Sequence, residues 1–341
     1  MGNEKYKFVI NGKFLSQSLT GVQRYANELV KELDCFAEKG SVVLACPPDI
    51  SKMPNLENIA VVKIGKLKGN FWEQITLPIY AKKHALTLIN LCGPSPIINP
   101  GVVVLHDVTF KVFPSNFTKK FRIWYDFMYR NSILRAKRLI TISHFSECEI
   151  KRYYPTSKEF DIIPNAWQHF DRIVCDENVF KKFNIKKNNY YFTLGSIKPN
   201  KNLKWIIEAA KYNSDECFIV AGSINKTVFQ DGLGFDVPNN VSFIGYTSDE
   251  ESKALMRYCK GFLFPSLYEG FGIPPLEAIA AGCKCVIVND ITIMHEIFDD
   301  SVSYIDGLLL KEKQCDSKVL EKYSWKKSAE LLYKLMKEME D

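Results

Sequence analysis

The sequence predicts an α/β protein made of two doubly wound, Rossmann-like domains. Three observations carry that prediction. Short β-branched or aromatic runs alternate with helical segments, the alternation stops and restarts near the middle of the chain, and a polar stretch from about 169 to 189, rich in Lys, Asn and Asp, separates the halves. With 341 residues, 46% of them hydrophobic and 25% charged, the chain has material for more than one buried core. Two domains are expected, 1–170 and 171–324, followed by a terminal helix over 325–341.

In the first half, strands are predicted at 6–10, 42–45, 87–91, 102–105, 138–142 and 161–163. The clearest helix runs over 21–39, where Val22, Tyr25, Ala26, Leu29, Val30 and Leu33 recur at helical spacing and Gly40 supplies a stop. The second half restarts with strands at 190–194, 218–221, 241–244, 261–264 and 285–288, and helices near 203–211, 250–259 and 276–281. The terminal helix carries Trp325, Ala329, Leu332, Leu335 and Met336 on one stripe. Doubly wound sheets bind ligands beyond the carboxyl ends of their strands, so the loops there are where chemistry is expected.

Composition narrows the partners. No apolar run reaches the roughly 18 to 20 residues of a membrane span, and Met1-Gly2-Asn3-Glu4-Lys5 is no secretory signal, so a cytoplasmic protein is expected. Lys+Arg 45 against Asp+Glu 39 leaves +6, too mild for a protein that coats nucleic acid. The excess concentrates between 111 and 138, where Lys119, Lys120, Arg122, Arg130, Arg135, Lys137 and Arg138 mix with aromatic residues. Such a helix over 117–138 suits peripheral contact with an anionic membrane, and suits equally an amphipathic helix whose aromatics belong to the core. The 10 cysteines form no CxxC pair and read as reduced thiols, with Cys283 and Cys285 on one strand face as small buried hydrophobes. The sequons at Asn116, Asn225 and Asn240 carry no function in such a setting.

The most informative segment is Pro265-Ser266-Leu267-Tyr268-Glu269-Gly270-Phe271-Gly272-Ile273-Pro274-Pro275-Leu276-Glu277. A strand ends at Pro265, a glycine loop follows, and the prolines stand where a helix start tolerates them. Loop amides and the helix N-terminus there suit a phosphate, while Glu269 and Glu277 suit sugar hydroxyls. On these residues alone, Glu277 as a dipole complement and Glu269 as solvated surface stand level with that reading.

Two glutamates at this spacing around Gly-Phe-Gly-Ile-Pro resemble the EX7E pattern of the GT-B retaining glycosyltransferases, family GT4 above all. The resemblance places Glu269 by the donor hexose, the 270–274 loop (Gly270, Phe271, Gly272, Ile273, Pro274) on hydroxyls and diphosphate, and Glu277 on the ribose. Leu194-Gly195-Ser196-Ile197-Lys198-Pro199-Asn200-Lys201-Asn202 is similar to the family's phosphate-binding turn. It implies that Lys201 neutralises the donor diphosphate, with Gly195 and Ser196 in the turn. The arginine usual there is missing, and Lys198 is the nearby cation.

In Ser18-Leu19-Thr20-Gly21-Val22-Gln23-Arg24, Gly21 resembles the family glycine beneath the diphosphate, and Arg24 either meets an anionic acceptor or sits on the helix surface. Val104-Leu105-His106-Asp107 resembles the family's His-Asp signature, with His106 beside the donor sugar. Ser143 reads as a helix cap. Pro164-Asn165-Ala166 corresponds to a family Pro-Asn-Gly turn with Ala in place of Gly, and Gly222-Ser223 and Gly245-Tyr246 are placed to contact a nucleotide base. By the same resemblance the terminal helix packs back onto the first domain.

The resemblance implies a retaining, metal-independent hexosyltransferase without a cofactor. It would use a GDP- or UDP-hexose, with mannose a plausible sugar, to extend a glycan or lipid-linked acceptor of a surface polysaccharide. The rivals are a sugar-nucleotide epimerase or hydrolase of the same fold and a catalytically idle nucleotide-sugar-binding scaffold.

Overall fold

The structure, a computed structural model, describes residues 6–195, 198–222 and 236–340. Ser196, Ile197, Ser223 and Asn225 lie outside the described residues. The chain divides into two compact units: Met1–Lys111, Phe117–Asn165 and Trp325–Asp341 form the first, and Val112–Asn116 and Ala166–Ser324 the second.

The first unit is built on strands β1 (Phe8–Asn11), β2 (Val42–Cys46), β3 (Ala60–Lys63), β4 (Thr87–Asn90), β5 (Val102–Val104), β6 (Arg138–Thr141) and β7 (Phe160–Ile162). They pair in parallel in the order β3-β2-β1-β4-β5-β6-β7. The central strands are buried throughout, which is why they read as unbroken apolar runs. β3, a half-exposed edge strand in register with β2, is absent from the sequence expectations.

Helix α1 (Gly21–Asp34) follows β1 and buries Tyr25, Ala26, Leu29, Val30 and Leu33. It stops at Asp34, short of the expected Lys39. The Asp34 carboxylate instead accepts the backbone N–H groups of Glu57, Asn58 and Ile59 at 2.7, 2.9 and 2.7 Å, anchoring the chain ahead of β3. Further along come a π-helical turn over Trp72–Thr76 running into α2 (Leu77–Lys83), then α3 (Lys119–Arg135) and α4 (His144–Tyr153). Ser143 caps α4 by accepting the Ser146 N–H at 3.0 Å. The C-terminal helix, Trp325–Glu338, packs on α1, with the Tyr25 and Trp325 rings 6.0 Å apart and Lys337 bonded to Glu38 at 2.7 Å.

The second unit repeats the design with β8 (Tyr191–Leu194), β9 (Phe218–Ala221), β10 (Val241–Gly245), β11 (Gly261–Phe264), β12 (Val286–Val288) and β13 (Ser303–Tyr304). Their parallel order is β10-β9-β8-β11-β12-β13. Helices α5 (Leu203–Tyr212), α6 (Asp249–Arg257), α7 (Ile273–Ala280) and α8 (Thr292–Phe298) cover the sheet. One face is filled by Tyr191, Phe218, Val220, Leu263 and Ile287 against Ile206 and Ile207 of α5. α6 opens with a capping box in which Ser248 and Glu251 satisfy each other's backbone N–H.

Candidate active site

A doubly wound sheet opens a crevice where its strand order reverses. In the second unit that point lies between β8 and β11. A shallow, open recess sits beyond their carboxyl ends, lined by Thr193, Gly195, Lys201, Phe264, Pro265 and Ser266.

Its walls are two loops tied together by their own backbones. Pro199–Lys201 form one 3-10 turn, closed by Asn202 in the left-handed conformation (φ 54°, ψ 45°). The Leu267 N–H donates to Asn200 O at 2.8 Å, and Asn202 Nδ2 donates to Pro265 O at 3.2 Å. Asn116, assigned to the same unit, donates from Nδ2 to Asn200 Oδ1 at 2.8 Å. This stitching holds Lys201 where its ammonium donates to Glu269 Oε1 and lies 5.4 Å from the centre of the Phe264 ring. The floor is equally constrained. Gly222 has φ +141°, and a Cβ there would stand 1.8 Å from Gly195 O, so the ends of β8 and β9 approach too closely for any side chain. Lys198 is exposed. Gly245 (φ +75°) accepts the Gly222 N–H at 2.7 Å, and the Tyr246 ring beside it is exposed.

Glycine is also required at the start of α7. Gly272 has φ +103°, and a Cβ on it would meet Met294 Cε at 2.8 Å. Ile273 is the first residue of α7 and Pro274 and Pro275 follow, so two of the first three helical positions carry no N–H. Pro274, expected among the amide donors, therefore cannot donate. The donors left are those of the Gly270, Phe271, Gly272 and Ile273 backbone. The Phe271 ring is buried edge-on against Tyr323, 5.1 Å between centroids, so it anchors the loop instead of facing a ligand.

Glu277 has a partner that the sequence reading missed. Its Oε1 accepts from His169 Nε2 at 2.8 Å, and both side chains are buried. His169 is held in place by its neighbours: Trp167 Nε1 donates to Leu320 O and Gln168 Nε2 to Tyr323 O, both at 2.9 Å. No periodicity marks a histidine in a linker 108 positions away.

The remaining candidates lie in the first unit. His106 stands just beyond β5, buried, donating from Nε2 to Leu91 O at 2.8 Å, with the Tyr25 ring edge-on at 4.9 Å. Burial pushes its pKa down despite the Leu91 carbonyl and Asp107, so the ring is neutral with Nδ1 as its acceptor nitrogen. Asp107 accepts the Thr109 N–H at 2.7 Å, which orients the loop. Gly21 opens α1 and Arg24 lies in its first turn, partly exposed. Sequence reasoning also missed a buried polar network at this unit's own reversal point, between β1 and β4. Asn11 Nδ2 donates to Glu73 Oε1 at 2.9 Å and Asn90 Oδ1 at 3.0 Å, while Lys13 Nζ bonds Glu73 Oε2 and Asn70 Oδ1, both at 2.7 Å. Among the described residues, no group of three or more His, Cys, Asp or Glu is arranged to hold a metal ion.

Two parallel Rossmann-like sheets, each with polar residues at the carboxyl ends of its strands, make up a GT-B-type fold, and comparison with solved structures agrees. Sucrose-phosphate synthase from Thermosynechococcus elongatus superposes with a TM-score of 0.64 at 13% identity, covering 97% of this chain and 90% of that one. HepE from Anabaena, in complex with UDP and glucose, superposes with a TM-score of 0.60 at 15% identity over 96% and 92%. Residues 176–338 match the family described as glycosyl transferases group 1. Two curated relatives are similar in sequence. The O-antigen chain mannosyltransferase RfbU of Salmonella typhimurium is 29% identical over 216 residues, 62% of this chain and 58% of the relative. O-antigen chain mannosyltransferase B of Escherichia coli is 24% identical over an alignment covering 91% of each chain.

Proposed function

We propose that the protein is a GT4-type, retaining hexosyltransferase of surface-polysaccharide biosynthesis, moving a hexose, mannose foremost, from a GDP- or UDP-sugar to a glycan or lipid-linked acceptor. One observation carries the reading: Lys201 and Glu269 pair across the mouth of the β8/β11 recess, beside the Gly270–Ile273 amides. The names of the two mannosyltransferase relatives support the sugar and the setting.

In this reading the pair is a stand-in for the donor. The Lys201 ammonium turns from Glu269 to the diphosphate, and the freed carboxylate takes hexose hydroxyls. Departure of the nucleotide builds charge on the diphosphate, and a preorganised ammonium and loop amides stabilise it more than they stabilise the intact donor. Glu277, held by His169, receives ribose hydroxyls. His106 accepts a sugar hydroxyl through Nδ1, Gly21 leaves room for the diphosphate, and Tyr246 borders the base. In this reading Lys201 carries the charge neutralisation, without metal or cofactor. The same reading places the protein on the cytoplasmic side, with peripheral membrane contact through 117–138; no helix among the described residues is long and apolar enough to cross a membrane.

The test is a thermal-shift screen against UDP, GDP, ADP and their hexose conjugates, because a ligand selective for the native state raises its apparent stability. One nucleotide family is expected to shift the transition, and its hexose conjugate to be consumed only when a glycan acceptor is present. Consumption without acceptor replaces the transferase by a hydrolase or epimerase. Binding with no turnover on any acceptor replaces it by the idle scaffold.

A further inference from the structure

The first unit carries an apolar surface that its own core does not use. Between 69 and 83 a short helix, the π-turn and α2 run on as one continuous helical rod. Its inner side is settled: Trp72, Leu77 and Ala81 are buried with Val9, Val43 and Leu88, and the Trp72 indole donates to Ile64 O at 2.9 Å. Its outer side presents Phe71, Ile75 and Ile79, spaced four apart, with Phe71 72% and Ile79 62% exposed. Such a row is the reverse of what a rod packed on a sheet needs toward solvent.

The row does not stand alone. Gln74 Oε1 accepts the Ile97 N–H at 2.9 Å, and Asn131 Nδ2 of α3 donates to Ile97 O at 3.1 Å, so the rod and α3 flank one loop. That loop exposes Ile98 at 67%, and α3 adds Ile123 at 62% and Leu134 at 74%. Phe117, just ahead of α3, and Phe121, Tyr125 and Tyr129 on it stack as a separate row at centroid spacings of 5.0, 3.9 and 6.3 Å, so these apolar side chains are additional to it.

Charge identifies what this surface fits. Lys66, Lys68, Lys82 and Lys83 lie exposed at the two ends of the rod, and Lys119, Lys120, Arg130 and Arg135 are exposed on α3. The single acid between 66 and 84, Glu73, is buried and bonded to Asn11 and Lys13. The single acid of α3, Asp126, is engaged by Lys111, Arg130 and Tyr154. Apolar side chains bordered by cations, with both local acids already matched, are complementary to an anionic bilayer surface.

We propose that the rod 69–83, the Ile98 loop and α3 form one docking surface for an anionic phospholipid membrane, with the rod as its principal apolar contact. Phe71, Ile75 and Ile79 enter the interfacial region while the lysines at the rod's ends meet lipid phosphates. This inference deepens the membrane contact proposed above through 117–138 and needs none of the transferase chemistry; it moves the centre of the contact from α3 to a segment where composition alone gave no signal.

The test is co-sedimentation of the full chain with vesicles of phosphatidylcholine containing about one third phosphatidylglycerol, and with pure phosphatidylcholine. Binding is expected to the anionic vesicles and to weaken with added salt. Phe71→Ser/Ile75→Ser/Ile79→Ser is expected to lower partitioning at least about tenfold, and each of Lys82→Gln and Lys83→Gln about fivefold. Circular dichroism and melting temperature should stay at wild-type values, since the substituted side chains are exposed. Wild-type partitioning in the triple variant overturns the rod as the contact. Absence of vesicle binding overturns the proposal, whether sedimentation velocity then shows self-association lost in the triple variant or the basic surface instead retains single-stranded RNA.

Discussion

The His169–Glu277 contact makes the sharpest prediction because it separates a positioning role from bulk packing. The bond is 2.8 Å long, and the two side chains are only 3% and 7% exposed, so water cannot replace a missing partner. Replacing His169 by Leu keeps most of the volume and removes the donor. A hydrogen bond to a charged group in such a setting contributes about 2 kcal/mol, mostly as the cost of leaving a buried carboxylate unmatched. For a unit of this size that corresponds to a fall in Tm of about 4–8 °C. His169→Gln places an amide nitrogen near the Nε2 position and should recover at least half of the loss. Thermal denaturation measures the first effect, and nucleotide titration followed by the same melt measures the second: in the Leu variant Glu277 is no longer held for ribose hydroxyls, and nucleotide affinity should fall about tenfold, or 1.4 kcal/mol. If the Leu variant melts within about 1 °C of wild type, or if Gln rescues neither property, the contact neither stabilises the unit nor positions Glu277, and the reasoning fails.

Three further outcomes are expected. Lys201→Met should reduce turnover about 100- to 1000-fold while changing nucleotide affinity far less, since its charge matters most as the diphosphate departs; equal losses in both, from initial rates and titration, would make it a binding residue alone. Gly272→Ala should cost about 2 kcal/mol, adding the approach to Met294 Cε to the backbone penalty at φ +103°. Gly282→Ala is its control, with φ +90° and no atom within 4 Å of the added Cβ. The Gly282 variant should melt above the Gly272 variant, and the opposite order would remove Met294 from the account. His106 makes stability depend on pH: burial lowers its folded-state pKa, so below the unfolded value of about 6.5 the unfolded chain takes up a proton that the folded chain refuses. Stability should therefore fall as pH drops from about 6.5, and His106→Gln should flatten that slope in denaturant titrations.

What could be read from the sequence follows the physics of each signal. Strands buried on both faces, such as β5 and β11, announce themselves as apolar runs, and the expected 261–264 coincides with β11. β3 and β13 carry little such signal, one half-exposed at an edge and the other two residues long. The end of α1 was misread because Gly40 is a local cue, whereas the stop is set by Asp34 reaching three amides beyond residue 56. Glu269, Lys201 and the glycines of the second unit were legible because loop chemistry keeps them close in sequence to strand ends. His169 and the Asn11–Glu73–Asn90 network were not, since pairing across 62 to 108 positions leaves no periodic trace.

The two units share one topology and use its reversal point in opposite ways. In the first, the carboxyl ends of β1 and β4 are closed by the protein's own groups: Asn11 bridges Asn90 and Glu73, and Lys13 neutralises the same carboxylate from its other oxygen. All these partners come from the chain, so the network stiffens the unit without asking for a ligand. In the second, the β8/β11 point is left as a recess, and the polar groups at its mouth, Lys201 and Glu269, are only partly buried. An ion pair with access to water is worth little to stability. Holding it there through Asn200, Asn202 and the Pro265–Leu267 backbone is poorly explained as a way to stabilise the fold. The same stitching is well explained if the pair must exchange partners without moving its backbone when an anionic, hydroxyl-rich ligand enters, which is the behaviour proposed for the donor. That difference between two otherwise repeated sheets supports the donor role proposed for the β8/β11 recess on physical grounds that do not depend on any relative.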